Sequence, residues 1–505
     1  MPSSCLVLAR VLLLTLCIVS AAHAAEPHQY PHRYRITIDP ALDRMAVEAR
    51  FSSSVDTVNA RSHDAGEYLA DVRDCDSSKL IRLRNQRMML PAGGIRCMSY
   101  TVDLQGAARS TDRDRLLAAG NIVVSPSLWL WRPTLAFGES IDIRFDLPEG
   151  LQVAVPWPRD EREPNTYRLS SSPESSNAPA VFGRFDYREI AVPGAMLRVS
   201  VPRTRSDESD LVDSNFIFEW LRRTATDVSL AYGRFPNPSP QVVVLPVDES
   251  RRSSSAVPFG RVARDGGEAI ELYVDRGQPL EAYLQDWTAT HEFSHLMLPY
   301  VTPAHRWISE GFAQYYQNVL LARSGTYEPL EAWQKLYDGL ERGRQSRPEL
   351  SPNEATARGM RNGRMKIYWS GAAIALLADV TLRERSGGSQ TLDDVMERLQ
   401  FCCLPSQRAW SGPELFETLD KLAGTPVFMP LYRRYADTAG FPDTRPVFGR
   451  LGLAVSDDKV RVRRGGELQH IRTAITRADS AEAGHGEQLA GRKAAARRAG
   501  AAGSR

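Results

Sequence analysis

Between Tyr34 and about Pro202 apolar and polar residues alternate in short runs. Tyr34-Arg35-Ile36-Thr37-Ile38, residues 45–51 and residues 140–145 each set every second side chain on an apolar face. A period of two is the pattern of half-buried strands, and Pro and Gly punctuate the runs. Residues 170–176 are polar and read as a solvated loop. An antiparallel β-sandwich-like domain over residues 25–205 is the natural reading. After a polar stretch at 203–210 the period lengthens, and Phe216, Phe218, Trp220, Leu221 and Leu230 fall on a helix ending near Tyr232-Gly233. Residues 241–245 form an apolar run suited to a buried strand, and Ile270, Leu272 and Val274 mark one face of another. Pro279 suits the first turn of a helix, where its missing N–H is not needed. Leu280, Tyr283, Leu284 and Trp287 continue that helix towards Pro299. Ile374, Leu377, Ala378 and Thr381 recur at helical spacing. Thr391-Leu392-Asp393-Asp394 and Ser411-Gly412-Pro413-Glu414 carry the capping-box pattern that opens a helix.

The expected architecture is α+β and multidomain. A β-rich unit at 25–205 precedes a strand-and-helix unit at 206–325 and a mostly helical part at 326–478. Residues 479–505 are rich in Ala, Gly and Arg, nearly free of large apolar residues, and read as a disordered tail. Its Arg492-Lys493 and Arg497-Arg498 pairs read as solvated.

A length of 505 residues exceeds what one core serves. Lys and Arg number 63 against 61 Asp and Glu, so no broad basic field exists for nucleic acid, and none is expected as a partner. Arg10 precedes an apolar run at 11–19 that is too short to cross a bilayer, and Ala22-His23-Ala24 offers a cleavage pattern. Residues 1–24 therefore read as a secretory signal, with export across the inner membrane to a periplasm as the expected destination and a retained anchor as the alternative. No transmembrane span is expected in the mature chain, and its oligomeric state is left open. Of the four cysteines left after cleavage, Cys75 and Cys97 could staple the first domain. Cys402 and Cys403 are adjacent, leaving a vicinal bridge, separate partners or free thiols open.

Candidate chemistry concentrates at His291-Glu292-Phe293-Ser294-His295. Histidines four apart on a helix share a face and can ligate one Zn²⁺, with Glu292 beside the open position. Alone, the five-residue pattern is equally well two histidines and a glutamate on a partly exposed helix. Fourteen residues separate His295 from Glu310, enough to leave one helix, turn and enter a second facing the first. Glu310 is the candidate third ligand, its bland reading being a helix N-terminal carboxylate.

Glu310 is followed at once by Gly311-Phe312-Ala313-Gln314-Tyr315-Tyr316, and Ile367-Tyr368-Trp369-Ser370-Gly371 opens the later apolar stretch. With these motifs the chain resembles the gluzincin metallopeptidases, in particular the glycyl aminopeptidase-like family and more distantly the aminopeptidase N family. The resemblance covers roughly residues 210–440. It implies a thermolysin-like catalytic domain, zinc held by His291, His295 and Glu310, Glu292 as general base, and Tyr368 as oxyanion donor. The chain departs from the aminopeptidase N pattern in its shorter gap before Glu310, and Ser370 replaces the family's lysine. Relatives bind the substrate amine through a Gly-x-Met-Glu-Asn segment. Its nearest counterpart is Gly266-Gly267-Glu268, which lacks the Met and Asn, so Glu268 is the candidate amine site. No PDZ domain is expected after Phe441. The expected function is an exported zinc metallopeptidase, aminopeptidase-like, acting on peptides or proteins. An inactive peptide-binding relative, an endopeptidase and a zinc hydrolase of another bond are the alternatives.

Overall fold

A computed structural model describes residues 31–84, 87–110, 120–173, 178–203, 213–247 and 255–477. The expected signal and tail lie outside these residues, as does most of the polar link at 203–210 and part of the loop at 170–176.

The alternating runs pair as their pattern demands. His32–Ile38 buries every second residue, and Arg44–Val55 lies antiparallel to it. They sit in a six-stranded sheet of order Thr166–Ser170, Ser140–Asp146, His32–Ile38, Arg44–Val55, Ile95–Asp103, Leu69–Asp74. One pairing departs from the expected antiparallel pattern: His32–Ile38 runs parallel to Ser140–Asp146. The long chain between them permits the crossover that a parallel pair needs. A three-stranded sheet, Asn121–Val124, Ala180–Gly183 and Gln152–Ala154, shares the core, which encloses Trp129, Trp131 and Trp157. Cys75 and Cys97 are bridged, tying the edge of this unit to its Ile95–Asp103 strand.

The second sheet has the order Phe185–Val192, Ala195–Pro202, Gln241–Val247, Glu268–Asp275, Phe259–Arg264. Its first two strands fall inside the range expected for the β-rich domain. Ala195–Pro202 pairs parallel with Gln241–Val247, so hydrogen bonding carries the second sheet upstream past the expected division at 205. Val242, Val244, Ile270 and Leu272 share a core with Ile217 and Leu221 of the helix Ser214–Ser229. Val243 and Leu245, on the other face, pack against Val123 and Val181 of the first unit. Buried Arg198 reinforces this contact by donating to the carbonyls of Val155, Pro156 and Ser239.

Helices cover the rest of the second sheet's apolar face. The single helix expected from Pro279 towards Pro299 is divided into Leu280–Gln285 and Thr288–Ser294, followed by a 3₁₀ turn at His295–Met297. Asp286 causes the break. Its carboxylate accepts from the Thr288 and Val257 amides and from Ser255 Oγ, which turns the backbone extended at that residue. The helix carrying Tyr368 begins at Met360, ahead of the expected helical positions from Ile374, and Gly359 at φ 80° turns the chain into it. Met360–Arg385 is long and apolar enough to cross a membrane, but 78% of its apolar window is buried among its neighbours. Thr391 and Asp394 form the expected reciprocal cap, and Ser411 caps the helix Gly412–Ala423.

Candidate metal centre

His291 and His295 lie at the end of the short helix Thr288–Ser294 and on the turn after it. Their rings are 4.8 Å apart and perpendicular. Glu310 sits in the second turn of Arg306–Arg323, and its Oε2 is 3.5 Å from Nε2 of each histidine. One ligand atom from each residue lies within 4.8 Å of the others. Donors on a tetrahedral ion with bonds of 2.0–2.1 Å stand about 3.4 Å apart, so the three atoms are spaced to share one ion. Glu310 Oε2 is also buried without a hydrogen bond, which is costly unless something charged meets it. The donors therefore fit a tetrahedral cation.

Two glycines explain how Glu310 arrives there. A Cβ on Gly311 would lie 2.2 Å from the Gly371 Cα, and one on Gly371 would lie 2.1 Å from the Trp307 carbonyl. Backbone meets backbone where Arg306–Arg323 crosses Met360–Arg385. That close approach brings Glu310 and Tyr368 to the same point, and Tyr368 stacks on His291 at 5.7 Å with 19° between the planes. Ser309 Oγ lies 3.0 Å from His295 Nδ1 and orients that ring. Gln317, two turns beyond Glu310 on the same helix, is buried and favours the charged form of His291.

Protonation follows from this crowding. Burial raises the Glu292 carboxyl above its ordinary value, against the two histidines, which favour its charge. Burial opposes protonation of His291, but the close approach of Glu310 and the charge of Glu292 outweigh it and leave the imidazole raised. Glu310 is likewise penalised by burial, yet the two imidazoles hold it well below the usual carboxylate range. Burial, then the charges of Glu310 and Glu292, push the Tyr368 phenol far up, so it keeps its proton.

Sequence reasoning missed three supports. Gly260, on the edge strand Phe259–Arg264, touches Glu292: a Cβ there would lie 2.6 Å from the glutamate Cγ. Asp286 and Thr288 tie the loop entering that strand to the start of the histidine helix, Thr288 Oγ1 donating to the Val257 carbonyl. Neither contact leaves a local trace in the chain. Gln317 does leave one, since it falls on the Glu310 face at helical spacing.

Glu268 is held between two neighbours. Its Oε1 accepts from Arg264 Nε at 3.0 Å and its Oε2 from Asn237 Nδ2 at 2.7 Å. Arg264 also donates to the carbonyls of His295 and Leu298. Glu268 thus steadies the arginine that caps the end of the histidine segment, each of its oxygens accepting one hydrogen bond from a neighbour. The neighbouring glycines serve the turn. Gly266 has φ +75°, and a Cβ on Gly267 would lie 2.0 Å from the Pro156 carbonyl of the first unit. Cys402 and Cys403 are bridged to each other at the end of the helix Leu392–Cys403.

Residues 299–373, which include Glu310 and Tyr368, match the sequence profile of the family described as M61 glycyl aminopeptidase. Among solved structures the chain is similar to an aminopeptidase N family protein from Idiomarina loihiensis. That match has 15% identity and a TM-score of 0.59, covering 86% of this chain and 83% of the other. An M1 zinc metallopeptidase from Deinococcus radiodurans matches at 13% identity and a TM-score of 0.49, covering 82% and 94%. No curated protein matches. The profile match over residues 299–373, the motif order and the shared fold make the chain similar to the gluzincin, aminopeptidase-like peptidases.

Proposed function

We propose that this chain is a zinc-dependent peptidase in which His291, His295 and Glu310 hold the ion within a thermolysin-like catalytic unit. The observation that carries this reading is the convergence of two imidazole nitrogens on a buried, otherwise unbonded Glu310 oxygen. When bound, Zn²⁺ supplies a Lewis acid for the scissile carbonyl and lowers the pKa of a water towards 7. Glu292 takes the proton from the attacking water and returns it to the leaving amine. A carboxyl raised by burial is closer in proton affinity to the groups it exchanges with. Tyr368 keeps its phenolic proton and donates it as a hydrogen bond to the oxyanion developing on the carbonyl. Gly260 keeps the edge strand against Glu292, so the base moves little.

The family points to removal of amino-terminal residues. One observation favours internal cleavage as a second reading: both Glu268 oxygens are engaged by Arg264 and Asn237. We also propose export directed by residues 1–24, a reading supported by the bridge between Cys75 and Cys97. The decisive experiment pairs free and acetylated peptides with the zinc-loaded chain and Glu292→Gln. The native chain should cut at least one set, and Glu292→Gln should keep zinc while losing about 10²–10⁴-fold in kcat. Full activity in Glu292→Gln would reject the mechanism. Equal rates on free and acetylated peptides would select internal cleavage.

A further inference from the structure

We propose that Trp287 is the wall of an apolar subsite beside the scissile bond, so that the preferred substrates carry an aromatic or bulky aliphatic residue there. The inference rests on the peptidase reading above. Trp287 stands one helical turn before His291 and therefore on the same face of the chain. The indole and imidazole rings are 5.8 Å apart, edge to face. Although it touches a candidate ligand, Trp287 remains 44% exposed, unlike the fully buried Trp129, Trp131, Trp157 and Trp307. A large apolar surface left open beside a reactive centre has a use when a substrate covers it.

The wall is also held in place. Asp286, just before it, accepts from Ser255 Oγ and from the Val257 and Thr288 amides. Thr288, just after it, donates to the Val257 carbonyl. Both neighbours are tied to the loop that enters the edge strand, so the indole is positioned before a substrate arrives and little is lost in ordering it. The Tyr368 ring also contacts His291, stacking on it at 5.7 Å. Both rings thus border the same imidazole, and an apolar substrate side chain that covers the indole would displace water from it.

The test uses the full, zinc-loaded chain and matched peptides with Gly, Ala, Leu or Phe on either side of the cut bond. The native chain should prefer Leu or Phe over Gly at one of those positions by about tenfold or more in kcat/KM. Trp287→Ala should abolish that preference, and Trp287→Phe should restore most of it. Calorimetry supplies a readout without turnover: the Phe peptide should bind Glu292→Gln about tenfold more tightly than it binds Glu292→Gln combined with Trp287→Ala. A preference that survives Trp287→Ala, or equal binding by the two inactive variants, overturns the inference. Loss of all cleavage in the native chain would instead reject the peptidase reading, and the binding comparison would still decide the role of Trp287.

Discussion

Gly260 has no side chain, and that is why Glu292 can lie where it does. A methyl group at this position would come within 2.6 Å of the glutamate Cγ, so either the carboxylate or the edge strand must move. Misplacement of a reacting group by about 1 Å can cost on the order of 10²-fold in rate. Gly260→Ala should therefore reduce kcat by about ten- to a hundredfold while the thermal midpoint changes little, because the strand is at the sheet edge. Steady-state kinetics beside a melting curve checks both halves; an unimpaired kcat would mean the carboxylate has room to adjust. The same residue scale explains Glu268, whose neighbours decide its use. Asn237 and Arg264 take both its oxygens, so the carboxylate supports the end of the histidine segment.

Among the elements, the crossing of Arg306–Arg323 over Met360–Arg385 sets the site. Gly311 and Gly371 permit a backbone approach that any side chain would block, and Glu310 and Tyr368 converge as a result. Gly371→Ala would place a Cβ 2.1 Å from the Trp307 carbonyl. Forcing the helices apart should cost about 1–3 kcal/mol, as overpacking does elsewhere, and should also weaken zinc binding. Denaturant titration and metal competition together distinguish this from simple destabilisation. The Tyr368 helix also carries Lys366, fully buried and donating to the Gly440 carbonyl beside the Phe441 ring. Burial lowers its pKa to about 8, with Arg344 assisting and Glu349 opposing. From about pH 8 to the ordinary lysine value of 10.5 the unfolded chain holds this proton and the folded chain does not. Stability from this group should therefore rise with pH across that window, the penalty being fully present below it. Lys366→Met should flatten the rise in thermal midpoint between those pH values.

At the scale of the whole molecule, the first unit acts as a buttress. Trp157 donates to the Asp265 carbonyl at 2.7 Å, Arg61 pairs with the Asp265 carboxylate at 2.7 Å, and Gly267 lies against Pro156. These contacts fix the turn between the edge strand and Glu268–Asp275, and so the strand that touches Glu292. The candidate metal ligands join different elements in the same way, since His291 and His295 belong to one segment and Glu310 to the next. An ion that binds only the folded chain stabilises it by RT ln(1 + [L]/Kd), about 2.7 kcal/mol at a hundredfold excess over Kd. Chelation should accordingly lower the melting temperature by several degrees, with zinc restoring it. A midpoint indifferent to chelator and to added zinc would argue against a resident ion.

Much of this arrangement was legible in the chain because its causes are local. Alternation marked His32–Ile38 and Arg44–Val55, since a strand's faces are set by neighbours two residues away. The capping pattern marked the start of Leu392–Cys403. Helical spacing put His291 and His295 on one face, and the order of Glu310, Gly311, Tyr368 and Gly371 pointed to the family. The tertiary structure alone decided what depends on distant approach. It set the backbone of Gly260 on Glu292, drew Asp286 out of a continuous helix to bind Val257, and committed Glu268 to Arg264. It also carried Phe185–Val192 and Ala195–Pro202 into the second sheet and joined Cys402 to Cys403. A residue's helical or strand period is written in its neighbours. Which residues of another segment will meet it depends on packing, which no window along the chain contains.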